Sequence, residues 1–260
     1  MQFINEIDRR PGSLLGPVRS LVLLLVAPIA LAAQGAEDHS GKPGTAPFAQ
    51  RFHAGAALGG AVATGEFRDH VNGGGGIQAF LRMDLDTRGR VAIRLQGTFL
   101  SYGRESERVC LSESAGCRVD VELVTSNSIL TVGIGPELAF PVGPVRLYGN
   151  ALVGGSRFST YSQVEGGWLS GVFASSENFG RCGFAWSSSG GIEVPVGKVK
   201  SRPLSLDLAV TYNGNGRREY LTKGGITEQP DGSSAFDVKS SNANLLSARL
   251  GFSVGLHRLK

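Results

Sequence analysis

Cysteines are the residues of this sequence with the plainest capacity for chemistry. Cys110 and Cys117 enclose the short stretch LSESAG. A metal site would need further ligands, and only Glu107 and Glu113 lie nearby in the sequence. In a chain exported to an oxidising compartment, such a pair instead favours a disulfide that braces a loop. We therefore predict a disulfide between Cys110 and Cys117, with Cys182 either a free thiol or part of a different pairing.

Histidine beside an acidic or serine residue can activate a nucleophile or a water molecule. Of the four histidines, His39 lies in a polar N-terminal stretch, and His53 and His257 lie near predicted short turns. Only His70, next to Asp69, falls in a predicted long loop. Neighbouring residues point in opposite directions along a strand, so this pair makes a poor dyad. The sequence predicts a solvated loop histidine here and no catalytic residues.

Two glycine-rich stretches, at residues 73–76 and 133–136, could suggest a loop that holds phosphate. Such a loop needs a following helix and a lysine or serine at a set spacing, and neither is present. We predict that these glycines serve strand starts and relieve crowding between side chains. The sequence predicts no cofactor and no metal.

The first 36 residues have the features of an export signal. Arg9, Arg10 and Arg19 precede the apolar run LVLLLVAPIALAA, which ends in small residues. The run is too short to cross a bilayer as a helix, which takes about 20 residues. We assign residues 1–36 to a signal peptide, 37–50 to a flexible lead-in and 51–260 to one domain. The net charge of +4 is spread out, which argues against nucleic-acid binding.

The domain contains eight segments in which side chains alternate with a period of two, as in β-strands. They span residues 51–65, 77–86, 91–99, 128–140, 145–159, 183–194, 204–213 and 245–257. Short connections (TRGR, PVGP and PVGKVKSRP) alternate with long ones, so that all the long connections fall at one end. Even-stranded transmembrane barrels have this asymmetry, with short periplasmic turns and long extracellular loops. We predict an all-β fold, an eight-stranded antiparallel up-and-down transmembrane barrel.

The alternation separates an apolar face from a charged face. The apolar face includes Leu58, Leu95, Ile134 and Leu250. The charged face holds Arg82, Asp84, Asp86, Arg94, Glu137, Arg146, Glu193, Asp207 and Arg249. A soluble lipocalin-like barrel would bury the apolar face. The predicted strands contain no lysine, and their arginines and acids nearly balance, so we predict the inverse. The charges form a network that fills the lumen, because buried charges persist when paired, and the apolar face meets lipid.

Aromatic residues on the apolar face fall near both ends of the strands. Membrane barrels carry such aromatic girdles at the two interfaces with water. We predict one girdle near the long loops and one near the short turns. The first contains Phe99, Phe184, Trp186 and Tyr212, and the second contains Phe52 and Phe140.

This architecture resembles the small eight-stranded bacterial outer-membrane β-barrels, which include the OmpA transmembrane domain and OmpX and are grouped as outer membrane protein β-barrel domains. The resemblance covers residues 51–260 and rests on architecture, with no motif. Two features depart from it. The chain ends HRLK, where family members often end in Phe or Trp, and no peptidoglycan-binding domain follows the barrel.

The resemblance implies a location in the bacterial outer membrane and a structural or surface-interaction role without enzymatic activity. It also implies contacts with outer-membrane lipid, lipopolysaccharide and the barrel-assembly machinery, and an unknown extracellular ligand for the loops. Arg217 and Arg218, in the last long loop, could touch lipopolysaccharide phosphates. Because some barrels of this architecture modify lipids, a lipid-acting enzyme is an alternative. A soluble lipocalin-like binding protein is another.

Overall fold

The structure, a computed structural model, describes residues 51–110, 120–165, 172–228 and 234–256. The predicted signal peptide (1–36) and lead-in (37–50) lie outside the described residues. The same is true of Cys117, so the predicted disulfide with Cys110 also falls outside them. Among the residues that the structure describes, no helix has the length and apolar character needed to cross a membrane.

The described chain consists almost entirely of β-strands. They are β1 (Phe52–Thr64), β2 (Gly73–Asp84), β3 (Val91–Cys110), β4 (Asp120–Val142), β5 (Val145–Glu165), β6 (Val172–Val199), β7 (Arg202–Gly214), β8 (Arg217–Tyr220), β9 (Ile226–Glu228), β10 (Ser234–Phe236), β11 (Lys239–Asn242) and β12 (Asn244–Leu256). Strands β1 to β7 and β12 form a closed antiparallel barrel, in which β12 pairs with both β7 and β1. The predicted eight-stranded barrel is confirmed.

Tight connections join the strands at one end of the barrel, which we call the turn end. Val199 pairs with Arg202, so that Lys200 and Ser201 alone form the turn between β6 and β7. Both have positive φ, at 48° and 66°, as a two-residue hairpin turn that follows the twist of the strands requires. This turn is shorter than the predicted PVGKVKSRP connection, because the strands remain paired nearly to their ends.

At the opposite end, the loop end, the strands continue well beyond the predicted segments. β3 and β4 stay paired as far as Cys110 and Asp120, and β5 and β6 as far as Glu165 and Val172. The second and third long connections are therefore mostly hairpin. The apolar–polar alternation fades there although backbone pairing continues, because both faces of the extensions are largely polar.

One barrel strand contains a lysine, beyond the end of the segment that the alternation predicts. Lys198 lies in β6, one residue before its last residue, where it is exposed at the turn end. The strand leaves the apolar surface at this point, so the ammonium group reaches water. The predicted segment, 183–194, contains no lysine, and Lys198 falls within β6 because the strand extends further than the alternation indicates.

The first and last long connections fold over the loop end of the barrel. A short 3-10 helix, Gly65–Asp69, links β1 to β2. In the last connection β8 pairs with β11, and β9 pairs with β10, as two small hairpins. We call the 3-10 helix together with the described parts of residues 215–243 the loop cap.

Candidate functional site

The outward side chains of the barrel form a broad apolar surface, which we call the apolar belt. Its exposed members are Leu58, Val62, Leu81, Leu95, Val132, Ile134, Leu138, Phe140, Leu147, Val153, Phe184, Trp186, Ile192, Leu208, Val210, Leu246, Leu250 and Phe252. Leu58 is 70% exposed, whereas Arg94 and Glu137 are 0% exposed. This arrangement is the inverse of a soluble barrel. The lipocalin-like alternative is therefore wrong, because it requires the aliphatic side chains inside and the charges outside.

All eight predicted lumen residues lie inside the barrel and form one connected set of ion pairs, the lumen network. Its members are Arg82, Asp84, Arg94, Glu137, Arg146, Glu193, Asp207 and Arg249. Four positive and four negative groups make the network neutral. Each is buried, and a buried charge is tolerated when opposite charges and hydrogen bonds replace the water that it loses.

Glu137 is the centre of the lumen network. Arg94 Nη1 donates to Glu137 Oε2 at 2.8 Å, and Arg146 Nη2 donates to Oε1 at 2.8 Å. Arg82 Nη1 lies 3.7 Å from Oε1. Arg82 and Arg94 face each other directly on β2 and β3, where two positive charges repel. The shared Glu137 carboxylate offsets that repulsion.

Glu193 and Asp84 extend the network toward the turn end. Arg82 Nη1 donates to both Glu193 oxygens, at 2.9 and 2.8 Å, and Arg146 Nη1 donates to Oε2 at 3.1 Å. Arg82 Nε also donates to Asp84 Oδ1 at 3.1 Å. The other Asp84 oxygen lies 3.2 Å from His53 Nε2. The guanidinium of Arg82 thus joins two carboxylates from two different parts of the wall.

Asp207 holds the remaining part of the network. Arg249 Nη1 lies 3.2 Å from Asp207 Oδ2, and Arg94 Nη2 lies 4.0 Å from it. The Tyr148 hydroxyl donates to Asp207 Oδ1 at 2.6 Å and accepts from Arg249 Nη2 at 2.5 Å. The Arg94 guanidinium also lies over the Phe80 ring, 3.6 Å from its centroid, which adds a cation–π contact.

Sequence reasoning does not select three residues that the structure adds to this site: His53, Tyr148 and Phe80. The alternation places Phe80 on the inward face between Gln78 and Arg82, Tyr148 two residues from Arg146, and His53 on the face opposite to Phe52. That position is the only signal in the sequence, since aromatic rings are also common on the lipid side of such barrels.

Asp86 lies outside the lumen network, in contrast to its place in the predicted charged set. It follows the end of β2 and accepts hydrogen bonds from the backbone N–H groups of Arg90 and Val91, at 2.7 and 3.0 Å. These bonds, that from Val91 above all, hold the pKa of Asp86 below its ordinary value. Asp86 therefore shapes the turn between β2 and β3. The alternation cannot reveal the role of Asp86 in the turn, because the apolar–polar pattern continues two residues past Asp84, the last residue of β2 that pairs with β3.

Above the network the lumen holds buried polar side chains such as Ser189 and Thr211, and nearer the loop end an apolar and aromatic cluster fills it. Phe67 of the 3-10 helix is fully buried among the rings of Tyr102, Phe158 and Tyr220, with centroid distances of 5.9, 6.2 and 4.9 Å. Leu245 packs in the same cluster. Phe67 and Tyr220 come from the loop cap, so the cap closes the barrel with its own hydrophobic core.

Hydrogen bonds fasten the loop cap to the barrel around its rim. Tyr102 Oη donates to the Leu221 carbonyl at 3.1 Å, and the Gly224 N–H donates to Glu105 at 2.8 Å. The Asn242 N–H donates to Glu66 of the 3-10 helix at 3.0 Å, which joins the two parts of the cap. Two of these bonds attach the cap to β3, and Arg181 of β6 donates to Glu219 of the cap at 3.0 Å, so the cap is held at two sides of the opening.

Four residues that the sequence raised as candidates for chemistry or lipid contact lie in the cap or, in the case of His70, directly after its 3-10 helix. Asp69 is exposed, and so is His70, whose ring lies 6.3 Å from that of Tyr220 at the margin of the aromatic cluster. Arg217 Nε donates to Ser240 Oγ at 3.2 Å. The Arg218 guanidinium lies against Gly183 and donates to the Phe184 carbonyl. Both arginines therefore make hydrogen bonds within the protein at the loop end.

The predicted girdle residues occupy the outer wall. Phe140 and Phe184 are both 65% exposed, and the Trp186 and Tyr212 rings pack side by side with centroids 5.6 Å apart. Phe52 and Phe99 are half-buried. Phe52 and Phe140 lie near the turn end, in β1 and β4, and the other four lie toward the loop end, in β3, β6 and β7.

Comparison with known proteins finds no matching family model and no matching curated protein. Among solved structures, the chain is similar to Neisserial surface protein A at 13% identity and a TM-score of 0.44, over 79% of this chain and 97% of that one. It is similar to outer membrane protein OprG from Pseudomonas aeruginosa at 10% identity and a TM-score of 0.42, over 80% of this chain and 97% of that one. It is also similar to Ail, the attachment invasion locus protein of Yersinia pestis, at 12% identity and a TM-score of 0.38, over 79% of this chain and 97% of that one. At these identities the likeness concerns the fold alone.

Proposed function

We propose that this chain is a non-enzymatic integral protein of the bacterial outer membrane, a closed barrel that anchors a folded cap and two long hairpins at the cell surface. The observation that carries the proposal is the inverted wall, with an apolar belt outside and a neutral ion network inside. In a membrane, the backbone polar groups of a sheet must all be paired, which a closed barrel achieves. A surface of this size and apolarity would cause aggregation in water.

The filled lumen argues for an anchor and against a diffusion pore. The lumen network closes the half nearer the turn end, and the aromatic cluster around Phe67 closes the half nearer the loop end. A cavity beside Gln78 and Arg249 has a volume of about 30 Å³, room for one or two water molecules. A hydrated ion would have to break several buried ion pairs to pass.

The parts that leave the membrane support a role in surface interaction. β3 with β4 and β5 with β6 project past the barrel as paired hairpins, beyond the last pairs of β2 with β3 and of β6 with β7. β4 also pairs with β5 as far as Glu122 and Glu165, so the two hairpins form one four-stranded sheet. Their exposed ion pairs, such as Arg157 with Glu177 at 2.6 Å, suit a surface in water. On this proposal the partners are outer-membrane lipid, lipopolysaccharide, the barrel-assembly machinery and a ligand of the loops.

Planar-bilayer recordings test the closed lumen. The purified barrel is expected to give no stable ohmic conductance, because both halves of the lumen are occupied by side chains. Insertion is checked in the same membranes by the change in gel migration that boiling causes in folded barrels. Large ohmic currents from inserted protein would contradict the closed lumen and would indicate a pore.

A further inference from the structure

The turn end of the barrel carries an unusual excess of positive charge. Its basic residues, which we call the basic turn rim, are Arg51, Arg88, Arg90, Lys198, Lys200 and Arg202. Asp86 is the one acidic residue that the structure places among these turns, and its carboxylate accepts backbone hydrogen bonds within its own turn. Five members of the rim are exposed, and Arg202 is half-buried.

The loop end has the opposite balance. The described residues beyond the belt, at 65–72, 102–110, 120–126, 157–165, 172–183, 215–228 and 234–243, include nine arginines and lysines and eleven acids. Several of these charges neutralise each other locally, as Arg181 does with Glu219 at 3.0 Å and Lys239 with Asp237 at 2.7 Å. The barrel is therefore polarised along its axis, with its positive charge at the turn end.

The basic turn rim lies directly next to the apolar belt. Exposed apolar side chains stand at the same end of the barrel: Leu85 and Val91 flank the first turn, Val142 the second, and Val199 the third. In a bilayer these side chains mark the depth at which hydrocarbon ends. The guanidinium and ammonium groups beside them then lie at the depth of the lipid headgroups, where long basic side chains reach from an apolar surface.

We propose that the basic turn rim binds the phosphate groups of anionic phospholipids in the leaflet that faces the turn end. This inference rests on the proposed membrane location. Each Lys or Arg near an anionic bilayer surface adds to the electrostatic attraction, and six on one rim act together. The near-balanced loop end lacks such an excess, so the preference for anionic lipid is confined to one end.

Native mass spectrometry of the barrel released from nanodiscs containing equal amounts of phosphatidylcholine and phosphatidylglycerol tests this directly. The wild-type barrel is expected to retain phosphatidylglycerol preferentially. The variant R51Q/R88Q/R90Q/K198Q is expected to lower that preference about tenfold or more. The matched control R68Q/R104Q/R108Q/K223Q removes the same charge from exposed loop-end positions and is expected to leave it unchanged. Both leaflets have the same composition, so the two ends are compared under equal conditions.

Three outcomes would overturn the lipid assignment: no phosphatidylglycerol preference in the inserted wild type, no loss in the turn-end variant, or an equal loss in both variants. A wild-type barrel that fails to enter nanodiscs would instead overturn the proposed membrane location. Added salt gives a second measurement without mutation. The wild-type preference is expected to fall between 50 mM and 500 mM salt, because exposed charges are screened.

Discussion

Replacing Glu137 with Gln is expected to lower the free energy of unfolding by about 3 to 5 kcal/mol, the usual cost of removing one partner from a buried ion pair. The substitution keeps the shape of the side chain but leaves the lumen with a net charge of +1. Arg82 and Arg94 then face each other across β2 and β3 without the carboxylate that separates their charges. Unfolding of the barrel in lipid vesicles by urea, followed by gel migration, measures the loss.

A control and a double variant make this result specific to the network. Glu122 lies on the same strand as Glu137 but is exposed, so E122Q is expected to change the free energy of unfolding by less than about 0.5 kcal/mol. E137Q/R94Q restores a neutral lumen and is expected to lose clearly less than the sum of its two single variants. A loss below about 1 kcal/mol for E137Q, or additive losses in the double variant, would show that the network contributes little.

Replacing Phe67 with Ala is expected to open the loop cap while the barrel below it stays folded. The ring is fully buried between Tyr220, Phe158 and Tyr102, and its removal from such a site costs about 3 to 5 kcal/mol. The cap has little other apolar core to compensate. Amide hydrogen exchange in β8 and β11 is therefore expected to accelerate by about two to three orders of magnitude, since 1.4 kcal/mol corresponds to a factor of ten.

The matched control for the cap is Phe236, which is 47% exposed in the same connection. F236A is expected to leave exchange in β8 and β11 nearly unchanged. Exchange in β7 and β12 is expected to stay slow in both variants, because these strands are paired on both sides within the barrel. Equal acceleration in F67A and F236A, or none in F67A, would contradict a cap held by its aromatic cluster.

The barrel and its inversion are predictable from the sequence because a membrane barrel imposes the same two-residue period on every strand. That period separates Leu58 and Leu250 from Arg94 and Glu137, and the near-balance of arginines and acids on the second face places that face inside. The period also sets the ends of β7 and β12 to within about two residues. The alternation lies within each strand, so each strand can be identified without reference to the others.

The connectivity of the lumen network and the whole loop cap are not predictable in this way. Arg82 pairs with Glu193 across the lumen because of the stagger of the strands, which the sequence does not state. Phe67 and Tyr220 are isolated aromatic residues in polar connections, far apart in the chain, and both are buried by a cluster that only the folded cap assembles. The hairpin extensions are missed because strands whose two faces are both largely polar lose the apolar alternation.

The most direct test of the inverted wall is a spin-label scan of β7 in lipid vesicles, with Cys110, Cys117 and Cys182 replaced by Ser. Nitroxides at positions 206, 208 and 210 point outward, and those at 209 and 211 point into the lumen. The account predicts high collision rates with dissolved oxygen, which concentrates in hydrocarbon, at the three outward positions and low rates at the two inward ones. Outward positions that instead collide mainly with a water-soluble nickel complex would contradict it, because Leu208 and its neighbours would then face water.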